Sequence, residues 1–217
     1  YTEMAESSLV ESPELKIYHG NCHCGAIKFA VKTPETPTVG ECNCSICFKK
    51  GYKHIFPGPE AFNLIRGEEL LKDYEFAGKT MLHRFCPTSG TPVMGKRSSA
   101  PPGSDISINA RTLNDLDIWS LPTQTLDGKS LEPSYKPAPF TGPEPTAKIE
   151  DSKIYTGGCH CGNVTMALKT TDPQIPQVSI STQDPSQVKA YIFGRSFQEH
   201  TFCGICGVSL VGEGVAG

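Results

Sequence analysis

Apolar and polar residues alternate along much of this chain. Ile27, Phe29 and Val31 are interleaved with Lys28, Ala30 and Lys32, the period of two expected of a half-buried strand. The same alternation returns at Val164, Met166 and Leu168, interleaved with Thr165, Ala167 and Lys169. Further short runs predict strands at residues 53–56, 71–76, 81–85, 92–94 and 105–108. In the second half they fall at 177–181, 188–193, 197–202 and 208–211. Gly, Pro and Asp punctuate these runs, and no long stretch carries a helical period. With 21 Gly and 18 Pro, the chain reads as all-β, made of short strands and many turns.

The pattern also divides the chain. Residues 1–15 read as a loose tail. A first unit spans 16–121, a Pro-rich segment spans 122–152, and a shorter second unit spans 153–217. The Pro-rich segment, with Pro133, Pro137, Pro139 and Pro143, reads as a linker or a strap over a surface. The two units look like tandem copies. Leu71-Lys72-Asp73-Tyr74-Glu75-Phe76 matches Val188-Lys189-Ala190-Tyr191-Ile192-Phe193, each leading into a late cysteine.

Composition narrows the classes. The chain has 217 residues, 37% hydrophobic and 20% charged, with a net charge of −3. That is an ordinary globular composition without the basic excess of a nucleic-acid binder. No apolar run approaches the roughly 20 residues of a membrane span. No signal-peptide core is visible near the start, so a reducing compartment, the cytoplasm, is expected. There the ten cysteines read as metal ligands before disulfides.

Their spacing supports that reading. Cys22-His23-Cys24-Gly25 in the first unit is echoed by Cys159-His160-Cys161-Gly162 in the second. Cys86 follows Cys24 by 62 positions, and Cys203 follows Cys161 by 42. Cys159, Cys161, Cys203 and Cys206 make a four-thiolate set, which closes tetrahedral zinc as a structural site. In the first unit Cys22, Cys24 and Cys86 recur, but Ser89 stands where Cys206 stands in the second. A serine hydroxyl stays protonated near neutral pH and ligates zinc poorly. His23 reads as a loop residue and His83 as a strand-surface histidine.

Only the first unit has Cys42, Cys44 and Cys47. Three protein ligands leave a fourth position open, the arrangement of catalytic zinc; alternatively His54 closes the site. Zinc with three thiolates is net −1, which suits thiol chemistry better than activation of water. His54 is the nearest acid–base candidate in sequence. Lys53, Asn109 and Arg111 are candidate contacts for a thiol co-substrate, because Arg pairs with carboxylates. Lys49, Lys50, Lys53 and His54 form either a basic rim or an ordinary charged loop.

Together, Cys22-His23-Cys24-Gly25, Cys42-Asn43-Cys44-Ser45-Ile46-Cys47 and Phe85-Cys86-Pro87-Thr88-Ser89-Gly90 resemble the glutathione-dependent formaldehyde-activating enzyme family, also called the centromere protein V/Gfa domain. The resemblance implies a β-tent fold of small antiparallel sheets. It also implies structural zinc at Cys22, Cys24 and Cys86, and catalytic zinc at Cys42, Cys44 and Cys47. Two or three zinc sites are expected, with glutathione or a similar thiol as co-substrate and carbon–sulfur lyase chemistry. A non-enzymatic zinc scaffold is the alternative, and a thiol–disulfide redox protein a weaker one. A small thiol or its conjugate is the expected partner, with no nucleic acid or membrane. The two copies are expected to face each other as an intramolecular pseudo-dimer, or the chain to form a homodimer.

Overall fold

The computed structural model describes residues 14–58, 60–100, 105–131, 133–171 and 177–214. The elements of the first half are β1 (Leu15–Asn21), β2 (Lys28–Pro34), β3 (Val39–Cys42), α1 (Ser45–Lys50), β4 (His54–Ile55), β5 (Phe62–Arg66), β6 (Lys72–Tyr74), β7 (Met81–Phe85), β8 (Pro92–Arg97), β9 (Ile106–Asn109) and β10 (Thr123–Leu126). Those of the second half are β11 (Lys153–Gly158), β12 (Val164–Thr170), β13 (Gln177–Thr182), β14 (Val188–Ile192), β15 (Gln198–Cys203) and β16 (Ser209–Gly214). The fold is all-β, in small, mainly antiparallel sheets.

The alternation becomes burial directly on β2 but not on β12, where Thr165 and Ala167 are buried and Met166 and Leu168 only half-buried. On β2, Phe29, Val31 and Thr33 point inward while Lys28 and Lys32 face out. This strand lies between β1 and β5 in a three-stranded sheet, and β11, β12 and β13 form a similar sheet in the second half. The second half's other sheet, β14-β15-β16, corresponds to β6-β7-β8. In the first half that trio continues through β9, β4, β3 and β10 into a seven-stranded sheet. The extra strands surround the residues that the second half lacks.

The structure departs from the sequence reading in other places too. Strands β1, β3, β5 and β11 fall outside the predicted runs and are held by pairing to β2, β10 and β12. The short helix α1 was not foreseen. At six residues it is too short to show a period, and it ends at Gly51 in the left-handed conformation. Strand β10 lies inside the Pro-rich segment yet pairs in parallel with β3, so the first half's sheet runs past residue 121. His83 is buried and not on the surface.

One core serves the first half, around Phe29, Val93 and Ile108. A second core is shared by the two halves: Ile46, Tyr52 and Phe85 pack with Val164, Phe202 and Val208. The contacts across it are reciprocal. Gly90 lies against the ring of Phe202, and Gly207 against the ring of Phe85. A Cβ on Gly90 would sit 2.7 Å from Phe202, and one on Gly207 2.6 Å from Phe85. Both glycines also have positive φ, 70° and 68°, a region that costs other residues free energy. His23 Nδ1 lies 2.9 Å from Tyr191 Oη, and His160 Nδ1 lies 2.8 Å from Tyr74 Oη. Each histidine reaches the tyrosine of the other half.

Candidate metal centre

Three groups of sulfurs stand close enough to hold a metal ion, with the ligand atoms in each within 4.8 Å of one another. Cys159, Cys161, Cys203 and Cys206 form one group, Cys22, Cys24 and Cys86 another, and Cys42, Cys44 and Cys47 the third. All ten cysteines are free thiols. Converging soft thiolates on tight turns suit zinc, so the donor sets fit the ion expected from the sequence.

The first two groups are built by the same pair of turns. Gly25 N donates to Cys22 O, and Ile27 N donates to the Cys22 sulfur at 3.3 Å. In the second half Gly162 N donates to Cys159 O, and Val164 N donates to the Cys159 sulfur, also at 3.3 Å. The partner turns close through Gly90 N to Cys86 O and Gly207 N to Cys203 O. The difference is the fourth corner. Cys206 completes the second half's set, whereas Ser89 Oγ pairs with Thr91 Oγ1 at 2.9 Å. Hydrogen bonding from Cys22 brings the Cys86 thiol down to about 4 against the pull of burial, with a smaller contribution from Ser89. In the four-cysteine set, bonds from Cys159, Cys161 and Cys203 drive Cys206 far below the ordinary thiol range.

The third group lies where β3 ends and α1 begins. Cys44 precedes the helix, and Phe48 N donates to Cys44 O to start its first turn. Asn43 pins this loop to the start of the Pro-rich segment: its Nδ2 donates to Asp127 Oδ1, and its Oδ1 accepts from Lys129 N at 2.8 Å. Hydrogen bonds from Cys44 and then Cys47 hold the Cys42 thiol well below its usual range. Bonding to Cys42 and Cys44, with burial, pushes Cys47 up.

These three cysteines open onto a cavity of about 1200 Å³. The helix α1, β7, β9 and residues 125–129, 131 and 133–135 line it. The Pro-rich segment is therefore a strap across the site. Its Tyr135 lines the cavity, stacks on His160 at 4.3 Å and donates from Oη to the His160 carbonyl. His160 Nε2 lies 2.9 Å from Ser45 Oγ, so the second half's Cys-His-Cys loop holds two wall residues. Burial brings the His160 imidazole down to about 4, leaving it neutral near pH 7.

The other residues singled out from sequence divide sharply. His54 lines the cavity, buried, with Nε2 3.2 Å from Cys47 Sγ; burial lowers its pKa. It stays outside the tight group of three sulfurs. Lys53, Asn109 and Arg111 do not line the cavity. Lys53 Nζ reaches Thr123 Oγ1. Buried Asn109 donates to Pro92 O and accepts from Arg111 N. Arg111 Nε donates to Gly51 O, and its guanidinium lies over Trp119 at 5.1 Å. All three organise the loops before β4 and after β9.

The basic rim is absent in that form. Lys49 Nζ donates to Gly158 O across the interface between the halves. Lys50 is buried with its Nζ 4.7 Å over the Phe85 ring. Burial lowers it to about 8, opposed by the nearby thiolates of Cys206, Cys47 and Cys203. Sequence reasoning missed Ser45, Tyr135 and His160 as neighbours of the site. Only the repeated histidine between paired cysteines hinted at the last.

Fold and site define an all-β protein organised by cysteine clusters suited to metal, one of which faces a cavity. The particular family follows from comparison. The profile of the glutathione-dependent formaldehyde-activating enzyme family matches residues 17–125, and the chain belongs to that family. A crystal structure of a Rhodobacter sphaeroides protein is 27% identical, over 49% of this chain and 99% of that one, with a TM-score of 0.43. No helix among the described residues is long and apolar enough to cross a membrane.

Proposed function

We propose that this protein is a zinc-dependent carbon–sulfur lyase-type enzyme that joins or separates a small thiol, such as glutathione, and an aldehyde carbon. One observation carries the reading: Cys42, Cys44 and Cys47 converge on a cavity, while the nearest histidine stays outside their set. Zinc held by these three thiolates would lower the pKa of a thiol at its open position, from about 8.5 for free cysteine to deprotonation. In the joining direction the thiol sulfur bonds to the carbonyl carbon, the carbon–oxygen π pair moves to oxygen, and the thiol's proton ends there as a hydroxyl. Cleavage reverses each change, and no oxidant is needed.

The chain's own residues prepare the site. His54 holds Cys47 through Nε2, which fixes that sulfur's orientation. The second half acts as a built-in partner: His160 anchors Ser45 and Tyr135, and the reciprocal His–Tyr pairs support a pseudo-dimer within one chain. The closed cluster of four cysteines is then structural, holding the loop that carries His160.

A scaffold reading draws on the short approach of His54 to Cys47, since a modest shift would make this imidazole a fourth ligand. Cobalt substitution separates the two. An open site changes its visible spectrum when glutathione is added, and a closed one does not. The decisive variant is Cys44→Ser. Glutathione–formaldehyde adduct turnover is expected to vanish while the circular dichroism spectrum and melting temperature stay close to those of the parent. Unchanged turnover in a folded variant would refute the proposal.

A further inference from the structure

The cavity contains buried polar atoms that the thiol chemistry does not use. His83 Nδ1 and Ser107 Oγ have no hydrogen-bond partner among the described residues, and both side chains line the cavity. His83 is 5% exposed and Ser107 2%. A buried donor or acceptor left unpaired is costly, so two in one cavity point to a group that satisfies them.

The strand register explains how they come together. His83 on β7 pairs with Gly95 on β8, and Gly95 pairs with Ser107 on β9. Directly paired residues on neighbouring strands share a face, so the row runs His83, Gly95, Ser107. The middle position has no side chain. A Cβ there would lie 2.8 Å from Ser107 Oγ and 3.1 Å from Met81 Sδ. Glycine leaves a notch in the sheet there, and the Ser107 hydroxyl and the Met81 sulfur fill it, with the imidazole on the other side of the row.

Around the notch the wall is apolar and aromatic. Phe76 stacks on His83 with ring centres 5.6 Å apart, and Met81 and Phe56 also line the cavity. Phe56 and Phe48 are substantially exposed at its edge. At about 1200 Å³ the space exceeds the upper end of ordinary ligand pockets, roughly 1000 Å³. A one-carbon aldehyde would leave most of it unfilled. Arg97 also lines the cavity, but the two unpartnered atoms belong to uncharged side chains, so an uncharged oxygen suits them.

We propose that His83 and Ser107, on either side of Gly95, form a neutral hydrogen-bonding subsite. It receives a hydroxyl or carbonyl oxygen on the carbon-side portion of a thiol conjugate, whose apolar body rests on Phe56, Phe76 and Met81. The proposal rests on the thiol-conjugate reading above. It makes the substrate class an oxygenated, apolar conjugate, larger than the adduct of formaldehyde.

Calorimetric titration of the zinc-loaded protein with two stable thioethers tests it: S-hexylglutathione and S-(2-hydroxyhexyl)glutathione. The hydroxylated ligand is expected to bind about tenfold tighter, the size of one good hydrogen bond. Ser107→Ala and Gly95→Ala should each reduce that preference to about onefold. Affinity for S-hexylglutathione should change less than about threefold in Ser107→Ala, a shift too small for the loss of a hydrogen bond. His83→Phe, which keeps the ring, should also lose the preference. A hydroxyl preference that survives all three variants, no preference in the parent, or no binding of either thioether overturns the subsite. If glutathione alone still perturbs the cobalt spectrum in those cases, the subsite fails while the thiol-binding reading stands.

Discussion

The two halves place equivalent turns in equivalent sheets and differ in what the turns carry. In the second half four cysteines close on themselves. In the first half the matching corner is Ser89, bonded to Thr91, and three further cysteines sit on an added loop and helix beside a cavity. A complete ligand set favours rigidity, whereas an incomplete one leaves a position for chemistry. The comparison teaches that the closed set and the open set are coupled through a loop. His160, flanked by two cysteines of the closed set, reaches Ser45 beside the open one.

The strongest way to break this contrast is to open the closed set. Cys206→Ser should cost most, because structural zinc in small domains contributes on the order of 10 kcal/mol of apparent binding free energy. Thermal melting should show early loss of the second half, and a chelator should reproduce it in the parent protein. The opposite change, Ser89→Cys, should raise zinc retention at Cys22, Cys24 and Cys86 and lift the melting temperature. Titration with a chromogenic chelator would read both effects.

Next comes the contact between the halves. Gly207→Ala places a methyl group against Phe85 and strains a positive-φ backbone, so a loss of about 2–4 kcal/mol is expected in urea unfolding. Gly90→Ala should cost a similar amount, through Phe202. A large difference between the two would undo the reciprocity of the interface.

The His–Tyr pairs sharpen the comparison further. Tyr74→Phe leaves His160 Nδ1 buried without its partner and should cost about 1–3 kcal/mol. Tyr191→Phe frees the exposed His23 and should cost less than about 0.5 kcal/mol. Equal losses would mean that the two pairs are energetically alike despite their different burial.

A pH-dependent effect is expected from buried His83. Burial, assisted by Lys50, brings His83 down to about 3 from an ordinary value near 6.5. Between those values the unfolded chain binds a proton that the folded chain does not. The contribution is therefore fully present above about pH 6.5 and is lost as pH falls toward 3. The slope approaches about 1.4 kcal/mol per pH unit within that window. His83→Gln should flatten this part of the stability–pH curve, and parallel curves would rule it out.

Much of the fold was legible where alternation was strong. Phe29 and Val31 read as inward-facing, and they are. Cys42, Cys44 and Cys47 were legible as a cluster because they lie within one short segment, and the other two through matched turns that recur in both halves. Helix α1 was not, because six residues do not complete a recognisable period. His83 was misread because one histidine in a strand says nothing of what covers it. Lys53 follows the third cysteine group and Asn109 and Arg111 follow a strand, but pairing of β4 with β9 turns all three into supports of loops outside the cavity.

By itself, then, the sequence determined what local chemistry and repetition determine: β-strands from period two, turns from glycine and proline, and the sulfur groups from cysteine spacing and its recurrence in the second half. Tertiary structure alone decided which group faces a cavity, that His160 supports the opposite half's wall, and that His83 and Ser107 flank Gly95. Those facts depend on strand register and on packing between distant segments. No window of neighbouring residues contains that information, because the interacting side chains lie on different strands and in different halves of the chain.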